Sequence, residues 1–120
     1  MAQIISRESL PFDAFAWELE GFRYGTTNTS VIFVEAQPGD GPKLHSHPYE
    51  EIFIVQEGQV TFTLGAETIE ATAGMILMAP AGTPHKFINS GTGILRQIDI
   101  HASARFITTW YDDLPAAQPD

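Results

Sequence analysis

The stretch GDGPKLHSHPYEEIFIVQEG, residues 39–58, decides how the rest of the chain is read. Its first half holds two histidines one residue apart, a proline, a tyrosine and two adjacent glutamates, and its second half is an apolar run closed by glycine. Side chains alternate faces on a strand, so His45 and His47 point the same way, about 6.6 Å apart along the backbone. Two imidazoles on one face can converge on a common ion, because a first-row metal binds such nitrogens at about 2.0–2.1 Å. The same parity puts Glu51 on their face and Glu50 on the other. Pro48 cannot donate to a ladder and can mark a bulge, which would break the count between His47 and Glu51. The run that follows gives a second ground: Glu51, Phe53 and Val55 line an interior, Ile52 and Ile54 pack outward, and Glu50 is a rim acid.

Outward from this stretch, short apolar or alternating runs recur between Gly, Pro and Asn punctuation. They are FAWELEG (15–21), SVIFVEA (30–36), EIFIVQ (51–56), QVTFTL (59–64), ETIEATA (67–73), MILMA (75–79), HKFI (85–88) and ILRQIDIH (94–101). Such runs read as strands, and their spacing predicts an all-β antiparallel sandwich or barrel. Between residues 28 and 101 no stretch has room for a helix of ordinary length. Downstream, Ser103 as a cap on ARFITTWYDD, with Phe106, Ile107 and Trp110 at i, i+1 and i+4, predicts a short C-terminal helix. The competing reading is an irregular segment packed on the barrel. Residues 1–113 then form a single domain, and LPAAQPD, residues 114–120, is a fraying tail.

A chain of 120 residues is one ordinary domain. Its net charge of −9, with six scattered Lys and Arg, argues against nucleic acid and anionic membranes as partners, since both are bound through clustered cations. There is no cysteine, so thiolate sites and cysteine nucleophiles are excluded, and histidines and carboxylates must carry any metal chemistry. The segment MAQIISRESLPFDAF lacks a basic stretch followed by a long apolar one, and no apolar run approaches 18 residues; a cytoplasmic protein is expected.

In these residues the chain resembles a small single-domain cupin. The first cupin motif runs Gly, five residues, His, one residue, His, three or four residues, Glu, six residues, Gly, and Gly39, His45, His47, Glu51 and Gly58 meet it. The second, carried by GMILMAPAGTPHKFIN (74–89), is met by Gly74, Pro80, Gly82, His85 and Asn89. The resemblance covers residues 39–89, with 15 residues between the motifs. It implies a double-stranded β-helix, or jelly-roll, barrel whose mouth holds one divalent transition metal on His45, His47, Glu51 and His85. Imidazole nitrogen with carboxylate oxygen suits iron, manganese, nickel, zinc or copper, and affinity does not choose among them. Four protein ligands leave up to two octahedral positions for water, a chelating substrate or dioxygen. The motif glycines, Pro80 and Asn89 are assigned to turns and given no chemical role.

Beyond the ligands, ILRQIDIH alternates: Leu95, Gln97, Asp99 and His101 share one face, and Arg96, Ile98 and Ile100 the other. If the polar face looks inward, Gln97, Asp99 and His101 are candidates for outer partners of the ligands or for acid–base catalysis. If it looks outward, it is an ordinary polar stripe. Phe33, Phe53, Phe62 and Phe87 either wall a substrate pocket or fill the core, and Tyr49 is either a bulge residue or a lid over the metal. Trp17 and Tyr24 are placed on an N-terminal strand, which in small cupins often joins a dimer interface. The expected function is a metal-dependent enzyme, isomerase- or lyase-like or dioxygenase-like, acting on a small polar or chelating molecule. The alternative is a non-catalytic ligand-binding or sensor cupin whose metal captures ligand or is structural. A homodimer is expected from the apolar outer strands and the resemblance.

Overall fold

The structure, a computed structural model, describes residues 2–25 and 28–111. In chain order its strands are β1 (Phe12–Asp13), β2 (Ala16–Leu19), β3 (Ser30–Ala36), β4 (His45–Ser46), β5 (Glu51–Glu57), β6 (Gln59–Leu64), β7 (Glu67–Thr72), β8 (Ile76–Ala79), β9 (His85–Asn89), β10 (Leu95–His101) and β11 (Thr109–Trp110). Short 3₁₀ turns occupy Arg7–Ser9 and Gly21–Tyr24. The chain is all-β, with two antiparallel sheets ordered β1-β2-β3-β10-β5-β8 and β11-β4-β9-β6-β7. All eight runs read as strands from their period form strands. The three additional ones, β1, β4 and β11, are two residues each, too short to show a period. Among the described residues no helix is long and apolar enough to cross a membrane.

Two expectations are corrected. The C-terminal helix does not form: residues 102–105 bend, 106–108 run without regular structure, and Thr109 and Trp110 pair with Ser46 and His45. Backbone groups that a helix would use internally are taken from outside, with Phe106 N–H donating to Glu20 Oε2 and Tyr111 N–H to Leu44 O. The packed-segment alternative describes residues 102–111 better; Asp112, Asp113 and the expected tail at 114–120 lie outside the described residues. Trp17 does lie on an N-terminal strand, but Tyr24 sits in the 3₁₀ turn before Gly25, whose φ of 97° ends it.

Register stacks the interior in layers, because two residues along a strand advance about 6.6 Å on the same face. In the six-stranded sheet Ser30, His101, Glu51 and Ala79 lie side by side; beneath them come Glu18, Ile32, Asp99, Phe53 and Leu77, then Ala16, Val34, Gln97 and Val55. The five-stranded sheet answers with Trp110, His45, His85 and Leu64, then Phe87, Phe62 and Ile69, then Asn89, Val60 and Ala71. The core therefore fills the lower layers around Phe53, Phe62 and Phe87, whose rings meet at 5.0 to 6.4 Å, while the polar residues gather at the upper end.

Outer positions of the six-stranded sheet form two unbroken apolar rows: Leu19, Val31, Ile100, Ile52, Met78, and Trp17, Phe33, Ile98, Ile54, Ile76. Phe33 thus belongs to the outer face and walls no interior pocket. The motif glycines Gly39, Gly58, Gly74 and Gly82 all have positive φ. At Gly58 a side chain would also meet Ile94 O at 2.5 Å, so the β5–β6 turn admits no other residue without a shift.

Asn89 does more than turn the chain. It is 2% exposed, its Nδ2 donates to Ala36 O and Gly93 O, and its Oδ1 accepts from Gly91 N–H. Asn89→Ala leaves those buried groups unpaired and is expected to lower stability by about 3 kcal/mol, read from urea unfolding. A loss below about 1 kcal/mol would show that the three bonds are replaceable.

Candidate metal centre

His45 ends in the interior because Ser46 takes the opposite face, where its Oγ meets the Tyr111 hydroxyl at 2.9 Å. His47 follows just past the end of β4, on the side of His45, as strand parity predicts. The chain then bends at Pro48 and Tyr49 and crosses from the five-stranded sheet to the six-stranded one. Glu51 therefore does not inherit its direction from His47. It points inward because it opens β5, whose burial alternates through Glu51, Phe53 and Val55, while Glu50 is exposed. His85 opens β9 directly opposite His45.

The four side chains are 2–7% exposed, and one nitrogen or oxygen from each lies within 4.8 Å of the others. Glu51 Oε1 is 3.1 Å from His85 Nε2 and 3.2 Å from His47 Nε2. Each ring is oriented from behind by a carbonyl: His45 Nδ1 meets Lys43 O at 2.7 Å, His47 Nδ1 meets Ile107 O at 2.8 Å, and His85 Nδ1 meets Thr83 O at 2.8 Å. A carbonyl only accepts, so each Nδ1 carries a hydrogen and each ring turns its Nε2 toward the cluster.

Ring nitrogens and a carboxylate oxygen gathered around one point suit a cation between them, and His47 Nε2 has no hydrogen-bond partner of its own. Burial, with His85 and His47 adding to it, pushes His45 down to about 4, which keeps that ring neutral. Burial works against the Glu51 charge, but the His101, His47 and His85 rings around it prevail and hold its carboxyl well below the usual carboxylate range. Metal bonds of about 2.0–2.2 Å set neighbouring donors about 3 Å apart, close to the 3.1 and 3.2 Å that separate Glu51 Oε1 from His85 Nε2 and His47 Nε2. The cluster suits a metal ion in its donor set, burial and orientation.

A cavity of about 620 Å³ opens beside it. Phe53, Phe87, Asp99 and His101 line it, as do Phe15, Glu18, Phe106, Thr108 and Trp110, none of which the sequence had marked as site residues. The sequence pattern sets Phe106 and Trp110 on a helix stripe; the Trp110 ring instead lies 4.8 Å from that of His45. Parity with buried Ala16 was the available signal for Glu18, but only the β2–β3 pairing turns that face inward. Phe62 is wholly core. Tyr49 does not line the cavity: its ring stacks on His47 at 4.9 Å and its hydroxyl lies 2.7 Å from His101 Nδ1, behind both rings. Burial and the nearby Glu51 charge push Tyr49 up to about 12, so it is a neutral phenol.

The polar face of β10 looks inward. Asp99 and His101 reach the cavity, whereas Gln97, 1% exposed, lies below it and donates from Nε2 to Asp99 Oδ1 at 2.8 Å. Burial, reinforced by the Glu51 charge, raises the Asp99 carboxyl well above its usual range.

A double-stranded β-helix with such a cluster at one end of its interior defines a class of jelly-roll proteins with an internal metal-type site. The family profile described as a cupin domain matches residues 32–101, more than half of the chain, and the chain belongs to the cupin family. Over 79 residues it is 34% identical to the HTH-type transcriptional regulator PuuR of Escherichia coli K12, a match covering 64% of this chain and 42% of that protein. The chain thus spans less than half of that curated relative. Among solved structures, the oxalate decarboxylase of Bacillus subtilis, studied for its Mn(II) centres, superposes with a TM-score of 0.79 at 20% identity, over 90% of this chain and 32% of that one. An uncharacterized double-stranded β-helix protein of Klebsiella pneumoniae matches over 92% of this chain and 97% of its own, with a TM-score of 0.71 and 22% identity. At these identities the structural likeness shows the fold.

The raised Asp99 carboxyl fixes a sign. Its stabilising contribution is full below the unfolded value of about 3.9 and is lost as pH rises toward the higher folded value. In metal-free protein held in chelator, Asp99→Asn is expected to gain stability over wild type at about pH 7.5 and little at about pH 4. Urea midpoints across that range check it, and a pH-independent difference would contradict the raised carboxyl.

Proposed function

We propose that the protein is a metal-dependent enzyme in which His45, His47, Glu51 and His85 hold one divalent transition ion against a small polar or chelating substrate. A protonatable carboxyl, Asp99, lining the cavity one layer from Glu51 carries this reading. When bound, the ion would supply Lewis acidity or, if redox-active, an oxygen-binding centre. The protein's own groups do the rest. Asp99, whose carboxyl burial and the Glu51 charge raise well above its usual range, offers a protonatable group at the cavity wall, and Gln97 donates to it from below. Phe15, Phe53 and Phe87 exclude water around it. A proton donor set in an apolar wall favours isomerase- or lyase-like chemistry over dioxygenase-like chemistry, because such reactions move protons between carbons and oxygens.

A second reading, ligand sensing without turnover, is favoured by the sequence similarity to a transcriptional regulator. Purification with native metal, elemental analysis and product detection on small oxygen chelators separate the two. Asp99→Asn is expected to keep the metal and lose about 10²- to 10⁴-fold in turnover. Chelator binding with no product in wild type would support the sensor.

The ligand set has its own test. Glu51→Ala is expected to weaken metal binding by at least about 100-fold in competition titrations, whereas Glu50→Ala should change it less than about twofold. The reverse order would remove Glu51 from the site.

The partner proposed for the outer face is a second copy. Its two apolar rows run across five strands and end at Ile76 and Met78, 63% and 59% exposed, and a two-fold dimer uses one patch on both subunits. Ile98→Glu, at the centre of a row, is expected to shift the light-scattering mass from dimer to monomer with the β-sheet circular dichroism signal retained. A wild-type monomer would end the dimer proposal.

A further inference from the structure

All four histidines of the chain are buried at this end of the barrel, and the groups behind their rings sort them into two kinds. Three face backbone carbonyls through Nδ1, as described above. His101 does not: its Nδ1 is 2.7 Å from the Tyr49 hydroxyl. That oxygen already accepts the Ile107 N–H at 3.3 Å, so its own hydrogen needs an acceptor. His47 Nδ1, 3.3 Å away, is unable to serve because it donates to Ile107 O. The phenol therefore donates to His101 Nδ1, and a neutral His101 carries its hydrogen on Nε2.

This is the opposite tautomer from the other three, and it turns an N–H toward the metal cluster. His101 Nε2 lies 3.1 Å from Glu51 Oε2 but makes no aligned hydrogen bond among the described residues, although the side chain is 2% exposed and lines the cavity. A buried N–H lacking an aligned acceptor costs free energy until one arrives.

Resting on the metal reading above, we infer that His101 is a specificity-determining donor, aimed by Tyr49 as its positioning residue, which selects ligands presenting an acceptor oxygen, such as a carboxylate, beside the metal. An amine or other nitrogen donor gains nothing from this N–H. Specificity of this kind is strong because a ligand lacking the oxygen leaves a buried donor unpaired.

Two measurements test it. Long-range ¹H–¹⁵N spectra of the metal-free protein, and of its zinc form, should show His101 protonated on Nε2 and His45, His47 and His85 on Nδ1. Tyr49→Phe should turn His101 into a tautomer mixture. An Nδ1–H form of wild-type His101 would overturn the inference. In the cobalt form, visible titrations should show formate affinity falling about tenfold in His101→Phe, the loss of one hydrogen bond, with imidazole affinity unchanged. Formate binding unchanged, or both probes weakened equally, would also overturn it. Failure of wild type to take up cobalt would sink the metal reading instead, while the metal-free spectra still decide the tautomer.

Discussion

Three imidazoles and one carboxylate face a single point inside a sandwich of sheets, and their backs are already committed. The carbonyls of Lys43, Thr83 and Ile107 take the Nδ1 hydrogens, so each ring is left with its Nε2 turned toward the cluster. Protonating the rings would bury imidazolium charges, and burial already pushes His45 the other way. A divalent cation satisfies all four groups together, which is why this donor set suits a metal better than it suits a hydrogen-bond network.

The surrounding fold can be understood from this requirement. Two of the three carbonyls lie two residues before their own histidine, so local backbone geometry orients those rings. The third comes from Ile107, sixty residues beyond His47. The C-terminal segment therefore belongs to the site: Ile107 holds His47 through its carbonyl, Phe106 packs edge-on against His101 at 5.1 Å, and Trp110 covers His45. A helix in this segment would have withdrawn the Ile107 carbonyl into its own ladder. Pairing of β11 with β4 keeps it available and covers the side of β4 away from β9.

One layer below, the chemistry changes within a single strand step. Asp99 and Phe53 are cross-strand neighbours, so an acidic group and an aromatic wall meet where the cavity narrows toward the core. The low-dielectric wall and the Glu51 charge raise the carboxyl well above its usual range, while the hydrogen bond from Gln97 beneath it pulls the other way. Buried polar groups on successive inward positions of β10 are costly unless each has a partner. Glu51 faces His101, Gln97 serves Asp99, and the His101 N–H is left for a ligand.

Much of this was legible in the residues themselves. The period of two marked eight strands, the spacing of Gly39 to Gly58 and of Gly74 to Asn89 marked the two motifs, and the alternation after Glu50 separated Glu51 from its neighbour. These are local properties: pleat, turn conformation and burial pattern follow from adjacent side chains. The inward direction of Asp99 and His101, the placement of Tyr49 behind His47, the inward turn of Glu18 and the unwinding of residues 102–111 were not legible. Each depends on which segment lies alongside, and pairing with a segment outside a short window leaves no mark within it. Sequence alone determined which residues could bind a metal. Tertiary structure decided which nitrogen His47 and His101 present, because the Ile107 carbonyl and the Tyr49 phenol behind them are brought there by folding from elsewhere in the chain.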